Sequence, residues 1–172
     1  MTNDSRLSIS GSSRPSRPLL PKPIALSGCS DGGDVVEQPY VLKPIGRVES
    51  CLVDPATAPK QGAEGSPAAW LVFDERVGDG LRDLAEGDDV IVLSWLDRAR
   101  RDTLVVHPRD DPSSPLRGVF STRSADRPNP IGLHRVGIVA IEGLRVLVSN
   151  LEALDGTPIL DVKAVLDQTI DR

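Results

Sequence analysis

Two arginines and an asparagine lie close together in a proline-rich stretch of sixteen residues, Gly118 to Leu133, which we call the RPNP segment. The guanidinium groups of Arg123 and Arg127 are planar forks that suit a carboxylate or a phosphate. The prolines beside Asn129 donate no N–H, so its side-chain amide is a versatile hydrogen-bonding group that can match an adenine edge or a backbone. The segment could therefore bind an anionic or nucleotide ligand. The simpler alternative is a proline-stiffened loop between strands, with arginines exposed as arginines usually are.

The prolines of this segment also restrict its backbone. Pro128 and Pro130 fix their own φ angles and disfavour the helical region for the residue before each of them. We therefore predict that Arg127 to Pro130 is an extended, stiff ribbon, which would lose little conformational entropy when a ligand binds.

The charge of the chain is unevenly distributed. The formal net charge is −5, which by itself argues against nucleic acid as a partner, because phosphate binding needs a positive surface. Between Arg98 and Arg135, however, eight arginines stand against four aspartates. This arginine-rich window contains the RPNP segment and could contact RNA, although charge clusters are also common on plain solvated surfaces.

Several well-known site motifs are missing from the sequence. There is no glycine-rich dinucleotide fingerprint, no phosphate-binding P-loop and no nucleophile elbow, which disfavours a Rossmann-type nucleotide site. His107 and His134 are too separated for an evident zinc site and are interpreted as half-buried strand residues, so we predict no metal. Cys29 and Cys51 have no metal-ligand spacing and favour a reduced, cytoplasmic protein. No apolar run is long enough to span a membrane.

The distribution of apolar residues predicts a mainly β protein. Aromatic residues make up only 3% of the chain, so the core must consist of Val, Leu and Ile, which favour strands. Turn signals recur about every ten residues, which suggests a small, closed or nearly closed antiparallel β-barrel. The predicted strands are Tyr40–Glu49, Ala69–Phe73, Asp89–Leu96, Thr103–His107, Arg135–Ile141, Leu144–Ser149 and Ile159–Leu166.

Other segments complete this prediction. The continuous apolar run of Asp89–Leu96 predicts a strand buried on both faces. A short helix is expected at Val77–Leu84, a long loop at Leu52–Pro67, and a tight hairpin turn at Glu142-Gly143. Residues 1–38 are rich in Ser, Pro, Gly and Arg without periodicity, so we predict a disordered tail followed by one folded domain over residues 39–172.

Three groups of motifs resemble those of a known family. They are Pro44-Ile45-Gly46-Arg47-Val48 with Pro59-Lys60-Gln61, then Gly118 to Gly132, then Leu154-Asp155-Gly156-Thr157-Pro158 with Asp161-Val162-Lys163. In order and spacing they resemble the TsaA-like (TrmO) family of tRNA methyltransferases. The resemblance implies a homodimeric β-barrel that binds S-adenosylmethionine and methylates N6 of threonylcarbamoyl-adenosine 37, beside the anticodon of threonine tRNA.

The resemblance also implies which residues form the site. Cofactor contacts would be Pro59, Lys60, Gln61, Asp97, Arg98, Arg123, Leu133, Ala153, Leu154, Asp155 and Gly156, and residues that shape the pocket or meet RNA would be Arg127, Asn129 and Lys163. No catalytic residue is evident, although Asp155 and Asp161 are candidate acceptors for the N6 proton. The chain departs from the family pattern in three places: Lys60 replaces an arginine, Asp97 replaces a histidine, and Ala164-Val165 replaces Pro-Tyr.

The chemistry of these residue types agrees with the implied roles. A carboxylate at the Asp155-Gly156 turn can accept hydrogen bonds from ribose hydroxyls or an amino group, and the glycine lets a ligand approach the backbone. Arg123 can pair with the methionine carboxylate of the cofactor. Two alternatives remain open: a methyltransferase of the same fold that acts on another substrate, and a non-catalytic RNA-binding or regulatory barrel.

Overall fold

Six antiparallel strands close into a small barrel. The structure, a computed structural model, describes residues 41–166, so the predicted disordered tail at residues 1–38 lies outside the described residues. The strands are β1 (Gly46–Glu49), β2 (Ala69–Phe73), β3 (Asp89–Trp95), β4 (Val105–Val106), β5 (Arg117–Gly118), β6 (Ile131–Glu142), β7 (Arg145–Val148) and β8 (Pro158–Ala164). The barrel order is β1-β2-β7-β6-β3-β8, and β8 pairs back onto β1 over two residue pairs. The predicted fold class is confirmed.

Alternating side chains fill the inside of the barrel. Branched aliphatic residues point inward from every barrel strand, as in Val48, Leu71, Val92, Val136 and Ile159, all at most 2% exposed. Along β3 only alternate residues are buried, while Ile91, Leu93 and Trp95 are half-buried on the outer face. The prediction that this strand is buried on both faces is therefore wrong, because a closed barrel has no second layer covering its outside.

Two irregularities in strand pairing accompany the closure of the sheet. The register between β6 and β7 shifts between Ile138 and Ala140, and the register between β3 and β8 shifts at Leu93/Ser94. Such bulges increase the local twist and bend of a strand, which helps a short sheet to curl onto itself. Strand β6 is long because its first half pairs with β3 and its second half with β7.

Several element boundaries differ from the predicted ones. Strand β1 starts at Gly46, not at Tyr40, after Pro44, which has no N–H for a ladder. The predicted helix is a 3₁₀ helix at Glu75–Leu81. Of the predicted strand at residues 103–107, only β4 pairs, in a small separate sheet with β5.

The β6–β7 hairpin exists, but its turn lies one residue further along the chain than predicted. Glu142 pairs with Arg145, so the two turn residues are Gly143 and Leu144. Gly143 has φ 61° at the first central position, where a type II′ turn requires glycine. Glu142 was assigned to the turn because Glu142-Gly143 has the two-residue length of a tight hairpin, but its side chain lies at the exposed end of β6.

The RPNP segment bends where a straight ribbon was predicted. Residues 127–129 form bends, and the N–H of Ile131 donates to the carbonyl of Asn129 at 2.8 Å, across Pro130. Proline fixes φ but leaves ψ free, so a three-residue turn satisfies the same constraint as an extended chain. The segment then continues directly into β6 at Ile131.

The order of the strands places all three long connections at the same end of the barrel. The first connection (residues 50–68) joins β1 to β2, the second (96–130) joins β3 to β6, and the third (149–157) joins β7 to β8. In this antiparallel ring, each of them leaves and re-enters at one rim, while the opposite rim carries the β6–β7 turn and the segment at 74–88. Among residues 41–166, no helix is long and apolar enough to cross a membrane.

The inward and outward faces of the barrel should respond differently to truncation. Val92 is fully buried on β3 and Val139 is 48% exposed on β6. We expect Val92→Ala to lower the free energy of unfolding by about 2 to 3 kcal/mol, through lost burial and a residual cavity. Val139→Ala should cost about 0.5 kcal/mol or less, as for an ordinary surface substitution. Guanidinium denaturation measures both, and equal losses would contradict the assignment of faces.

Candidate functional site

Asp155 holds two of the three connections together. Its N–H donates to the carbonyl of Leu52 at 2.7 Å, and its Oδ1 accepts the N–H of Ser50 at 3.1 Å. Its own carbonyl accepts the Arg98 guanidinium at 3.1 Å. One residue of the third connection is thus bonded to the first connection twice and to the second connection once.

The first and third connections also pack in close backbone contact. A Cβ atom added to Gly62 would overlap the carbonyl oxygen of Asn150 and would lie 3.2 Å from Oε2 of Glu152. The N–H of Leu151 donates to the carbonyl of Pro67 at 3.2 Å. The loop that carries Pro59, Lys60 and Gln61 is therefore seated directly on the loop that leads to Asp155.

The second connection is tied to the first by charged side chains. The Arg98 guanidinium also donates to the carbonyl of Val53 at 3.1 Å. Nζ of Lys60 lies 2.6 Å from Oδ2 of Asp110, and Arg109 pairs with Glu64. All of these charged groups are at least one-third exposed, so each pair contributes little to stability, but together they keep the two connections adjacent.

Asp111 continues the turn that holds Asp110. Its carboxylate accepts hydrogen bonds from the side chain and the N–H of Ser113 and from Ser114. These bonds favour the charged form and lower the pKa of Asp111 below its ordinary value, the side-chain bond from Ser113 most strongly. The same bonds close the turn that follows Asp110.

The two arginines of the RPNP segment have different environments. Arg127 donates to the carbonyls of Ser124, Val119 and Thr122 at 2.8, 3.0 and 2.6 Å, and so holds the loop before it in shape. Arg123 is exposed, and within residues 41–166 no acceptor lies within bonding distance of its guanidinium. Asn129 is also exposed. Arg123 is thus the arginine of this segment that can take an anionic ligand without breaking existing bonds.

A buried polar chain fills the mouth of the barrel beneath the third connection. The Ser94 hydroxyl lies 2.8 Å from Nε2 of His134, and Nδ1 of His134 lies 2.8 Å from Oε1 of Glu152. Ser94 is fully buried, His134 is 5% exposed, and the Glu152 side chain is 21% exposed. A neutral imidazole with its proton on Nδ1 satisfies both bonds. The hydrogen bonds from Ser94 through His134 to Glu152 link β3, β6 and the loop that carries Ala153 to Gly156.

The sequence analysis did not predict the hydrogen bonds that join Ser94, His134 and Glu152. His134 lies in a strand as predicted, but it is buried where a half-buried residue was predicted, and its two partners lie 40 and 18 positions away. His107, also predicted in a strand, lies just after β4. The alternation along β6 places His134 on the inward face together with Val136, and a histidine on an inward face needs polar partners. That pattern was the available signal, but it did not identify the partners.

Several of the remaining predicted residues lie on or near the same rim, whereas Lys163 lies toward the opposite end of β8, paired with Ile91. Ala153 is 3% exposed, so its side chain packs inward, whereas Gly156 has φ 80° with open space around it. Leu133, Leu93 and Asp161 pair directly across β6, β3 and β8 on the outer face. The Asp161 carboxylate lies 2.7 Å from Nζ of Lys163.

Fold and site together define a small β-barrel domain that gathers its candidate ligand-binding residues on the loops of one rim. The chain belongs to the tRNA-methyltransferase O N-terminal domain family, whose model matches residues 47–171. This membership confirms the resemblance drawn from the three groups of motifs.

Individual relatives agree with the family. An S-adenosyl-L-methionine-binding protein of Archaeoglobus fulgidus is 42% identical over 123 residues, which cover 72% of this chain and 87% of that protein. A probable S-adenosyl-L-methionine-binding protein of Methanocaldococcus jannaschii is 41% identical over 128 residues, covering 72% and 90% respectively.

Solved structures of TrmO share the fold. The crystal structure of TrmO from Pseudomonas aeruginosa is 27% identical with a TM-score of 0.59, and the match covers 78% of this chain and 61% of that chain. A second TrmO crystal structure is 28% identical with a TM-score of 0.61 and coverage of 78% and 62%. This chain therefore spans about three fifths of the length of the TrmO chains.

Removing the Glu152 carboxylate, which is hydrogen-bonded to His134, should destabilise the rim. We expect Glu152→Ala to lower the free energy of unfolding by about 1 to 3 kcal/mol, because Nδ1 of the buried His134 loses its partner. Glu152→Gln retains an acceptor oxygen and should lose less than half of that. Glu142→Ala, at the exposed end of β6, is the matched control and should have almost no effect. Denaturation curves that do not separate Glu152→Ala from Glu142→Ala would show that the bond contributes nothing.

Proposed function

We propose that this protein is an S-adenosylmethionine-dependent methyltransferase that acts on tRNA. The proposal is supported mainly by the convergence of the three connections at one rim. They bring together residues that the family resemblance implies, from positions as far apart as Pro59 and Gly156. Asp155 fixes their relative positions through its bonds to Leu52, Ser50 and Arg98.

The residues at the rim fit the chemistry of this cofactor. Arg123 has an exposed guanidinium suited to the methionine carboxylate. Gly156 leaves its surroundings open, so a ligand can approach the backbone at this turn. Leu133 is 45% exposed on the outer face and offers an apolar contact.

The protein's main contribution to the reaction is positioning. When bound, S-adenosylmethionine supplies an activated methyl group on a sulfonium. The chain must hold the acceptor nitrogen in line with the methyl–sulfur bond and exclude competing water. Asp161 and Asp155 are both candidate acceptors for the departing proton: Asp161 lies in the same row of side chains as Leu133 but is paired with Lys163, and Asp155 accepts the N–H of Ser50.

The finer assignment follows the family. We propose N6 of threonylcarbamoyl-adenosine 37 in threonine tRNA as the acceptor, in the cytoplasm, and a homodimer as the working form. An exposed apolar group that includes Leu104, Val105, Leu116 and Phe120 supports a second copy of the chain as a partner, since Phe120 is 83% exposed and exposed apolar patches favour association.

A binding protein without catalysis is the second candidate. The relatives from Archaeoglobus fulgidus and Methanocaldococcus jannaschii are named for S-adenosyl-L-methionine binding, not for methyl transfer. The replacement of the family's histidine by Asp97 also favours this alternative. The two candidates share the cofactor and differ only in turnover.

Two measurements on the wild-type protein separate these candidates. Titration calorimetry should show binding of S-adenosylmethionine; no heat at millimolar ligand would exclude both. Mass spectrometry of tRNA nucleosides from a strain that lacks the gene should show loss of methylated threonylcarbamoyl-adenosine. Unchanged nucleosides together with normal cofactor binding would leave two candidates: a methyltransferase that acts on another substrate, and a binding protein without catalysis. An assay of labelled methyl transfer to total RNA would then distinguish these two.

The role of Arg123 can be tested separately. If its guanidinium pairs with the cofactor carboxylate, Arg123→Ala should weaken S-adenosylmethionine binding by about 1.5 to 3 kcal/mol, the scale of a hydrogen bond to a charged group. Arg117→Ala is the matched control, because Arg117 is another exposed arginine of the same connection. Calorimetry that finds the same affinity in both variants would remove Arg123 from the site.

A further inference from the structure

A cleft of about 610 Å³ lies on the outside of the barrel at the same rim. Glu49, Trp70 and Leu147 pair directly across β1, β2 and β7 and form one wall, and Asp155 and Gly156 lie on its other side. The rest of the lining consists of Arg47, Val48 and the small residues Ser50, Cys51, Ala68 and Ala69. This volume falls within the range of small-molecule sites, and none of the RPNP segment or the Pro59 tripeptide lines it.

The aromatic wall of the cleft is held in place by charged groups. The Arg145 guanidinium lies 4.9 Å from the centre of the Trp70 ring and 2.8 Å from Oε2 of Glu49. Arg47 binds the other oxygen of Glu49 at 2.9 Å. Arg145 does not itself line the cleft, so it supports Trp70 and Glu49 from outside. The cluster of Arg47, Glu49 and Arg145 carries one net positive charge.

Trp70, like Trp95, lies on the outer face of the barrel. Aromatic residues make up 3% of the sequence and only two are tryptophans, yet Trp70 points out of the barrel and packs no core. Its neighbours Ala69 and Leu71 are buried, as is Phe73 at the end of β2. An outward indole, fixed by a stacked arginine, is a preorganised platform for a flat ring.

The opposite side of the cleft offers hydrogen-bonding groups. Oδ1 of Asp155 accepts the N–H of Ser50, and within residues 41–166 no donor reaches Oδ2, so this oxygen can accept from a ligand amino group. Nothing within 4 Å blocks the approach to Gly156. Arg47, whose side chain is 58% exposed, lies where it can meet a phosphate.

From this geometry we propose that the cleft binds an unpaired base of the RNA substrate, stacked on Trp70 with its backbone phosphate toward Arg47. The inference rests on the proposed function and extends it. In this arrangement the Asp155-Gly156 turn separates the cofactor site on one side from the site for an RNA base on the other. Unpaired bases are recognised by aromatic stacking combined with hydrogen bonds to base edges and positive charge for the backbone, which are the groups present here.

Cys51 allows the cleft to be probed without turnover. It is an exposed free thiol in the lining, and the chain has only two cysteines, so Cys29→Ser leaves a single thiol. Total tRNA should slow the alkylation of Cys51 by N-ethylmaleimide at least fivefold in this variant, while S-adenosylmethionine alone should leave the rate unchanged. Adding Trp70→Ala to Cys29→Ser should abolish the protection. Alkylation of N-acetylcysteine with and without tRNA controls for effects on the reagent.

Substitutions in the wall give a second, kinetic test. With saturating cofactor, Trp70→Ala should raise KM for tRNA from the gene-deletion strain about tenfold or more, the scale of one stacked base, and Trp70→Phe should raise it less. Arg47→Ala should raise KM several-fold. Arg82→Ala is the matched control and should leave KM unchanged. It removes another exposed arginine that has a carboxylate neighbour, Asp79 at 3.1 Å. Cofactor affinity by calorimetry should stay within twofold in all four variants.

The possible outcomes distinguish this inference from the proposed function. If the wild-type protein binds no S-adenosylmethionine or methylates no tRNA, the proposed function fails, and the alkylation test alone decides whether the cleft holds RNA. If tRNA does not protect Cys51, or if protection survives Trp70→Ala, the inference is overturned whatever the activity. Protection by the cofactor alone would overturn it too, because the cleft would then belong to the cofactor site. Should Trp70→Ala unfold the protein, Trp70→Phe and Arg47→Ala carry the kinetic test.

Discussion

The rim of the barrel depends on the bonds made by Asp155. An antiparallel ring of short strands fixes only where its loops begin and end, and long loops tied to nothing else would fluctuate independently. The N–H, carbonyl and carboxylate of Asp155 bind Leu52, Arg98 and Ser50, so one residue ties the third connection to the other two. The buried chain from Ser94 through His134 to Glu152 then anchors the same loop to the barrel wall. These shared hydrogen bonds join the loops of the candidate site to one another and to the barrel.

The strands of the barrel could be predicted well from the sequence, because burial on one face imposes a period of two. Ala69–Phe73 was predicted with the observed ends. The errors arose where the local sequence is compatible with two structures. Asp89–Leu96 has the composition of a fully buried strand, but Leu93 and Trp95 are half-buried on the outside. The prolines of the RPNP segment permit a bend as well as an extended ribbon. The candidate site could be placed only through family motifs. Bonds such as that between Asp155 and Leu52 join residues more than a hundred positions apart, and no local pattern encodes them.

The arginine-rich window illustrates why charge in a sequence overstates charge available to a ligand. Arg98 and Arg127 bind main-chain carbonyls, Arg109 pairs with Glu64, and Arg135 pairs with Asp89. Arg101 covers the ring of Trp95 at 5.4 Å. Much of the window therefore holds the second connection in shape. An irregular segment of this length has few ladder bonds of its own, and guanidinium forks are well suited to bind the carbonyls that remain.

The two tryptophans of the barrel follow the same rule. Each lies on the outer face with an arginine over its ring, Arg145 on Trp70 and Arg101 on Trp95, and neither contributes to the core, which is aliphatic. A core built only from Val, Leu, Ile, Ala and one Phe leaves the large aromatic rings free for surface roles. On the outer face, packing does not hold the ring, and an arginine lies over it instead, itself bound to a carboxylate (Arg145) or to main-chain carbonyls (Arg101). Both rings lie at the rim with the long connections, so the features that a planar ligand can use are concentrated at the end of the barrel where Asp155 fixes the loops.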